Sequence, residues 1–180
     1  MKHNLCTRAG TFLASPSSGA TVYMICGQQG AGKTTLARAL AHDLPAVRFS
    51  LDEWIVALFG EQLPGALSRA WWEKHAELCS GVIWSTCRQL LLVGVSVVLD
   101  FGFGSQAHRS EYFERAREAK VATKLYVVTA DRGTRLERVR ARNRHRPPTF
   151  ALLVTDAMFD HFSFEPLTAR ERRNAVLMST

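Results

Sequence analysis

Residues 27 to 34 read Gly-Gln-Gln-Gly-Ala-Gly-Lys-Thr, which satisfies the spacing G-x-x-x-x-G-K-[ST]. Each residue type in that pattern has a task in holding phosphate. Glycines at 27, 30 and 32 let the backbone take conformations closed to other residues and turn successive N–H groups towards an anion. Lys33 brings a point charge to the β- and γ-phosphates of a nucleoside triphosphate, the start of a following helix adds its positive dipole end, and the Thr34 hydroxyl can join the shell of Mg²⁺. The nucleotide contacts expected from this loop are Gly27, Gln28, Gln29, Gly30, Ala31, Gly32, Lys33, Thr34 and Thr35. A plain strand-to-helix turn would not need glycine, lysine and threonine together at these offsets. No N-K-x-D segment for reading guanine follows, so ATP is the expected nucleotide and Mg²⁺ its companion ion.

Two carboxylates, Asp52 and Asp100, follow apolar strand-like runs and fall where an open parallel sheet binds ligands, outside the carboxyl ends of its strands. A hydroxyl that accepts phosphate needs a carboxylate to orient it and take its proton, and Mg²⁺ needs oxygen ligands. Asp52 is assigned to the hydroxyl and Asp100 to Mg²⁺ or to positioning the acceptor. Each also has a plainer reading: Asp52 as N-cap of a helix Glu53 to Phe59, and Asp100 as the cap of a turn containing Gly102 and Gly104. Glu53 reads as solvated.

The net charge is +7, and the segment from Arg132 to Arg146 carries seven arginines against one acid, Glu137, so the basic charge sits in one element. On a helix Arg135, Arg138 and Arg142 share a face. Guanidinium groups so close repel unless anions lie among them, which predicts a lid, about 131–148, that is mobile when empty and ordered over triphosphate. A solvated face or a nucleic-acid patch is the alternative use of the same charge.

Positioning these residues requires alternating strands and helices. The pattern predicts strands at Val22–Cys26, Ala46–Ser50, Ser96–Leu99, Lys124–Val128 and, at an edge, Ala175–Met178. Helices are expected at Lys33–Asp43, from Ala66 to Val93 with a bend at Gly81, at Ser105–Lys120, from about Asp131 to Pro147, and at Phe150–Phe162. That order implies a three-layer α/β fold with a mainly parallel sheet, in one domain over 21–180 after a flexible segment 1–20. At 180 residues, 47% of them hydrophobic, the chain can bury a full core without staples. Cys6, Cys26, Cys79 and Cys87 form no metal or redox spacing, and neither a signal-peptide core nor an 18-residue apolar run occurs, so a cytoplasmic protein with no membrane span is expected. The lone His75 reads as a satisfied group, and Trp71 and Trp72 as core or pocket wall.

The stretches MICGQQGAGKTTLARAL (24–40), SLDEW (50–54), VVLDFGF (97–103), LERVRARN (136–143) and FEPLTARE (164–171) resemble, in order and spacing, the small P-loop kinases that include chloramphenicol phosphotransferase, gluconate kinases, zeta toxins and many AAA-type ATP-binding kinases. The resemblance covers nearly everything from Val22 onward. It implies an adenylate-kinase-like P-loop NTPase fold with a five-stranded sheet and an arginine-rich lid. It also implies that Asp52 serves the acceptor hydroxyl, that Arg138 and Arg142 are the paired lid arginines acting with Lys33, and that Phe164, Glu165 and Pro166 lie near the nucleotide base. Where the family usually has Pro-Pro, this chain has Pro166-Leu167. The activity implied is transfer of the γ-phosphate of ATP to a hydroxyl of a small molecule. A 5′-hydroxyl nucleic-acid kinase is the alternative, weakened because residues 54–92 offer only Arg69, Lys74 and Arg88 as cations. An ATP-binding, toxin-like regulator with little turnover is the reading from another class.

Overall fold

The computed structural model describes residues 19–63, 68–146, 153–161 and 163–180. Five strands, β1 (Thr21–Cys26), β2 (Ala46–Ser50), β3 (Ser96–Gly102), β4 (Ala122–Thr129) and β5 (Ala175–Ser179), form one sheet in the order β2-β3-β1-β4-β5. Every neighbouring pair is parallel, so the sheet is wholly rather than mainly parallel. The helices are α1 (Lys33–Asp43), α2 (Leu51–Phe59), α3 (Arg69–Leu92), α4 (Gln106–Glu118), α5 (Arg132–His145), α6 (Asp156–His161) and α7 (Ala169–Asn174).

The period of two along β1 decides the layers. Val22, Met24 and Cys26 face one way and join Cys79, Ile83, Cys87 and Leu91 of α3 with Tyr112 and Ala116 of α4. Tyr23 and Ile25 face the other way and meet Ala37 of α1 with Val98 and Val128. Both faces of the sheet are therefore covered, as a parallel sheet requires. Each fully buried aliphatic side chain in these layers contributes about 1.5–3 kcal/mol relative to exposure. A third, smaller cluster, Val139, Val154 and Phe159, fastens α6 to α5.

Several boundaries differ from the sequence expectations. α3 runs through Gly81 as one helix of 24 residues, because Cys79 and Ile83 on either side are buried in the core and outweigh the roughly 1 kcal/mol cost of glycine. Of the helix expected at Phe150–Phe162, residues 153–155 are not helical and α6 begins at Asp156, where Thr155 Oγ1 accepts from the Met158 N–H; residues 147–152, with the expected end of the lid, lie outside the described residues. So do residues 1–18 of the expected flexible segment. α7 was not expected: it is six residues long, and a reciprocal cap between Thr168 and Glu171 starts it. Among the described residues no helix is long and apolar enough to cross a membrane.

Candidate functional site

β1 sits where the strand order reverses, between β3 and β4, and its chain leaves the sheet at Gly27 into a loop. Gly27 N–H donates to Gly102 O at 3.1 Å. A Cβ on Gly27 would lie 2.3 Å from the Val128 carbonyl oxygen, and one on Gly30 2.3 Å from that of Arg135, with φ of +141° and +75°. The loop is thus wedged between the ends of β3 and β4 and the first turn of α5, and only glycine fits at both points. α1 then begins at Lys33 with Gly32 as its N-cap, no side-chain cap and no acid in its first turn. Other helices have side-chain caps, from Ser50, Ser68, Ser105, Asp131 and Thr168. The α1 amides are left for an external anion.

A cavity of about 480 Å³ opens over this loop. It is lined by the loop from Gly27 to Thr35 except Ala31, by Asp52 and Asp100 from the ends of β2 and β3, and by Arg138 and Arg142 from α5. Lys33 lies over its own loop, Nζ donating to Gln28 O at 2.9 Å. Burial lowers its pKa, an effect opposed by Asp100 and Asp52. The Asp52 side chain opens to the cavity, yet the protein around it displaces bulk water. That desolvation, reinforced by Asp100 and opposed by Lys33 and Arg142, pushes its pKa up to about 6. Burial lowers the Arg142 pKa, and Asp52 opposes this.

Asp52 does not cap α2. Ser50 Oγ takes that place, accepting from the Glu53 N–H at 3.5 Å, and leaves Asp52 in the first turn pointing at the cavity. Nor is Glu53 merely solvated. Arg48 of β2 donates to Glu53 Oε1 and Oε2 at 2.9 and 3.1 Å and to Asp100 Oδ2 at 2.9 Å, while Arg38 stands 3.6 Å from Glu53. One guanidinium, 13% exposed, thereby ties Asp100 on the cavity wall to Glu53, the residue after Asp52. The signal for it was a lone charged residue inside a short apolar strand. Among the described residues no group of three or more His, Cys, Asp or Glu could cage a metal. Thr34 and Asp100 would suit Mg²⁺ in its other mode, in which phosphate oxygens and waters supply most ligands.

The shared face of α5 divides by depth. Arg135 is buried under the loop: Nε donates to Ala130 O at 3.2 Å, Nη1 to Gln29 O at 3.4 Å, and its guanidinium lies 5.0 Å from the Phe159 ring centre. Arg138 Nη1 donates to Thr180 Oγ1 at 2.8 Å, and that hydroxyl donates to Ala31 O at 3.0 Å. Arg132 pairs with Asp160 at 2.6 Å and Arg140 with Asp156. Some of the anions that the arginine density requires are therefore supplied by α6.

Trp72, Phe101, Gly104, Ser163 and Phe164 also line the cavity. Glu165 N–H donates to Gly104 O at 2.8 Å and the Gln106 N–H to Glu165 Oε2 at 2.6 Å, which lays the 163–165 segment along the end of β3. Of the residues expected to contact nucleotide, Phe164 lines the cavity here, whereas Ala31 is buried in the core and Pro166 turns its carbonyl to Arg109 Nη2 at 3.2 Å. Trp71 stacks on His75, ring centres 3.9 Å apart, and the His75 Nδ1 meets Trp71 O at 2.7 Å, so of these neighbours Trp72 is the one on the cavity wall.

The model of a family described as AAA domain matches residues 22–165. No curated protein matches the sequence. Among solved structures, a candidate kinase from Chloroflexus aurantiacus j-10-fl is similar at a TM-score of 0.68 and 18% identity, over 91% of this chain and 85% of that one. Kti12 from Chaetomium thermophilum in complex with ADP-AlF3 is similar at 0.63 and 17% identity, over 88% of each chain. A gluconokinase from Sinorhizobium meliloti 1021 is similar at 0.54 and 15% identity, over 90% of this chain and 82% of that one. At these identities the likeness is one of fold.

Proposed function

The chain belongs to the AAA-domain family of P-loop kinases, and from that premise we propose that it is an ATP- and Mg²⁺-dependent phosphotransferase that moves the γ-phosphate onto a hydroxyl of a small molecule. The observation that carries the reading is convergence: Lys33, Asp52, Arg138 and Arg142, from three separate stretches of chain, line one cavity over the phosphate loop. The loop N–H groups and the α1 terminus hold the phosphates, and Lys33 meets the β- and γ-oxygens. The Thr34 hydroxyl and the Asp100 carboxylate would hold Mg²⁺, which would supply neutralisation of the phosphate charge. Asp52 orients the acceptor hydroxyl and takes its proton as the new O–P bond forms and the bond to the β-phosphate oxygen breaks, ADP carrying away the electron pair. Arg138 and Arg142 stabilise the charge spread over the transferring group. A pKa near 6 leaves Asp52 mostly ionised at pH 7 and still basic enough for this task.

A nucleic-acid kinase is less favoured, since Arg132, Arg135 and Arg140 are engaged with Asp160, Ala130 with Gln29, and Asp156 instead of forming an open basic track. A screen of small alcohols with γ-labelled ATP tests the proposal. Transfer to at least one of them, abolished by Lys33→Ala without loss of the thermal melt, is the expected result; equal transfer by the variant would refute the reading.

A further inference from the structure

Thr180 is not on the cavity wall, yet it joins two parts of the site. Its hydroxyl accepts from Arg138 Nη1 at 2.8 Å and donates to the carbonyl oxygen of Ala31, inside the phosphate loop, at 3.0 Å. A guanidinium has no acceptor and a carbonyl no donor, so both directions are fixed by chemistry. The backbone beneath is held as well. Thr180 N–H donates to Thr129 O at 3.0 Å, just past the pairing of Thr129 with Ser179 that ends the ladder between β4 and β5. Ala31 is fully buried, and a Cβ on Gly32, the N-cap of α1, would come within 3.8 Å of the Thr180 side chain. The threonine therefore rests on the turn of backbone whose amides are left for an anion. Arg138 reaches the cavity from α5 on a long side chain, and ordering such a chain at every turnover costs rotamer entropy. A charge already in place when the phosphoryl group moves needs no reorganisation.

Resting on the kinase reading, we propose that Thr180 is a positioning residue for phosphoryl transfer: its hydroxyl ties the Arg138 guanidinium to the Ala31 carbonyl, so that the arginine takes its place from the phosphate loop itself. The planar fork spends one N–H on Thr180 Oγ1, which orients its other donors for phosphoryl oxygens.

The test uses the full chain with Mg²⁺ and compares binding of ADP alone with binding of ADP plus aluminium fluoride, which stands in for the phosphoryl group in flight and needs no acceptor alcohol. In Thr180→Val, which removes the hydroxyl, the tightening that aluminium fluoride adds should shrink about tenfold, the scale on which a displaced charged group is felt. ADP affinity should stay within about twofold and the thermal melt should be kept. Thr180→Ser, which retains the hydroxyl, should recover most of the tightening. Arg138→Ala should lose at least as much as Thr180→Val, and adding Thr180→Val to it should cost nothing further, because the hydroxyl acts through that guanidinium. An unchanged or enlarged aluminium fluoride step in Thr180→Val overturns the proposal, as does a further loss on the Arg138→Ala background or an equal fall in ADP affinity. No ADP binding by the unsubstituted chain, or no tightening by aluminium fluoride, refutes the kinase reading and the proposal with it, whereas the outcomes in the variants refute the proposal alone.

Discussion

Asp52 shows what one side chain gains from its surroundings. Asn has a similar shape and cannot accept a proton, so Asp52→Asn should reduce phosphoryl transfer about 10²-fold or more at saturating substrates. The pH dependences of activity and stability run in opposite directions. Only the ionised form accepts the proton, so kcat/KM should fall about tenfold per unit below pH 6, the value to which burial and Asp100 push this group. In the unfolded chain the carboxyl titrates near about 3.9. Between the two values the folded protein binds the proton more tightly, and stability falls as pH rises through that window. Asp52→Asn should therefore melt no lower than the parent at pH 7, with the difference closing towards pH 4. A clearly lower melt would mean that Asp52 holds the fold together. The phosphate loop and the place of Asp52 were legible in the sequence because both are local: the loop is eight consecutive residues, and Asp52 follows its strand directly. Ser50 was not read as the cap because Asp at the next position but one is an equally good capping residue. The pairing of Arg48 with Glu53 and Asp100 was invisible because it depends on β2 lying beside β3.

At the scale of elements, α5 combines an anchored start with a working remainder. Arg135 beneath Gln29, and the Arg135 carbonyl against Gly30, tie the first turn to the phosphate loop. Arg138 and Arg142, one and two turns on, reach the cavity. In the proposed mechanism they act on the charge that spreads over the moving phosphoryl group, so Arg138→Ala and Arg142→Ala should each lower kcat by about 10²-fold while weakening ATP binding far less. Equal losses in kcat and affinity would mark them as ground-state contacts. The spacing of these arginines was readable from sequence, and so was α1 to the residue, since Gly32 and Asp43 bound a clear apolar face. α7 was not: six polar residues carry no periodicity, and what starts the helix is a cap whose Glu171 also pairs with Arg109, 62 residues away.

That pairing matters for the molecule as a whole. Arg109, fully buried on α4, donates to Glu171 at 2.6 and 3.3 Å and to the carbonyls of Phe103, Gly104 and Pro166. It joins the loop after β3 to the segment that carries Phe164. Arg109→Met would strand the Glu171 charge in the interior and should cost about 3–5 kcal/mol in denaturant unfolding. Arg109→Met with Glu171→Leu should recover much of that, less the roughly 1 kcal/mol value of the Thr168 cap. No recovery in the double variant would show that the carbonyl contacts, not the ion pair, hold the segment.

The placement of β1 also sets an order of events in biosynthesis. Val22 pairs with Val97 on one side and Thr123 on the other, and the phosphate loop leans on Val128 and Arg135. Although the loop is made early, a ribosome must produce most of the chain before its supports exist. Until then the edge of β1 that takes β4 stays open, the condition in which nascent chains depend on chaperones. Chains arrested before β4 should neither resist protease nor gain resistance from ATP, and both properties should arrive together once α5 has emerged.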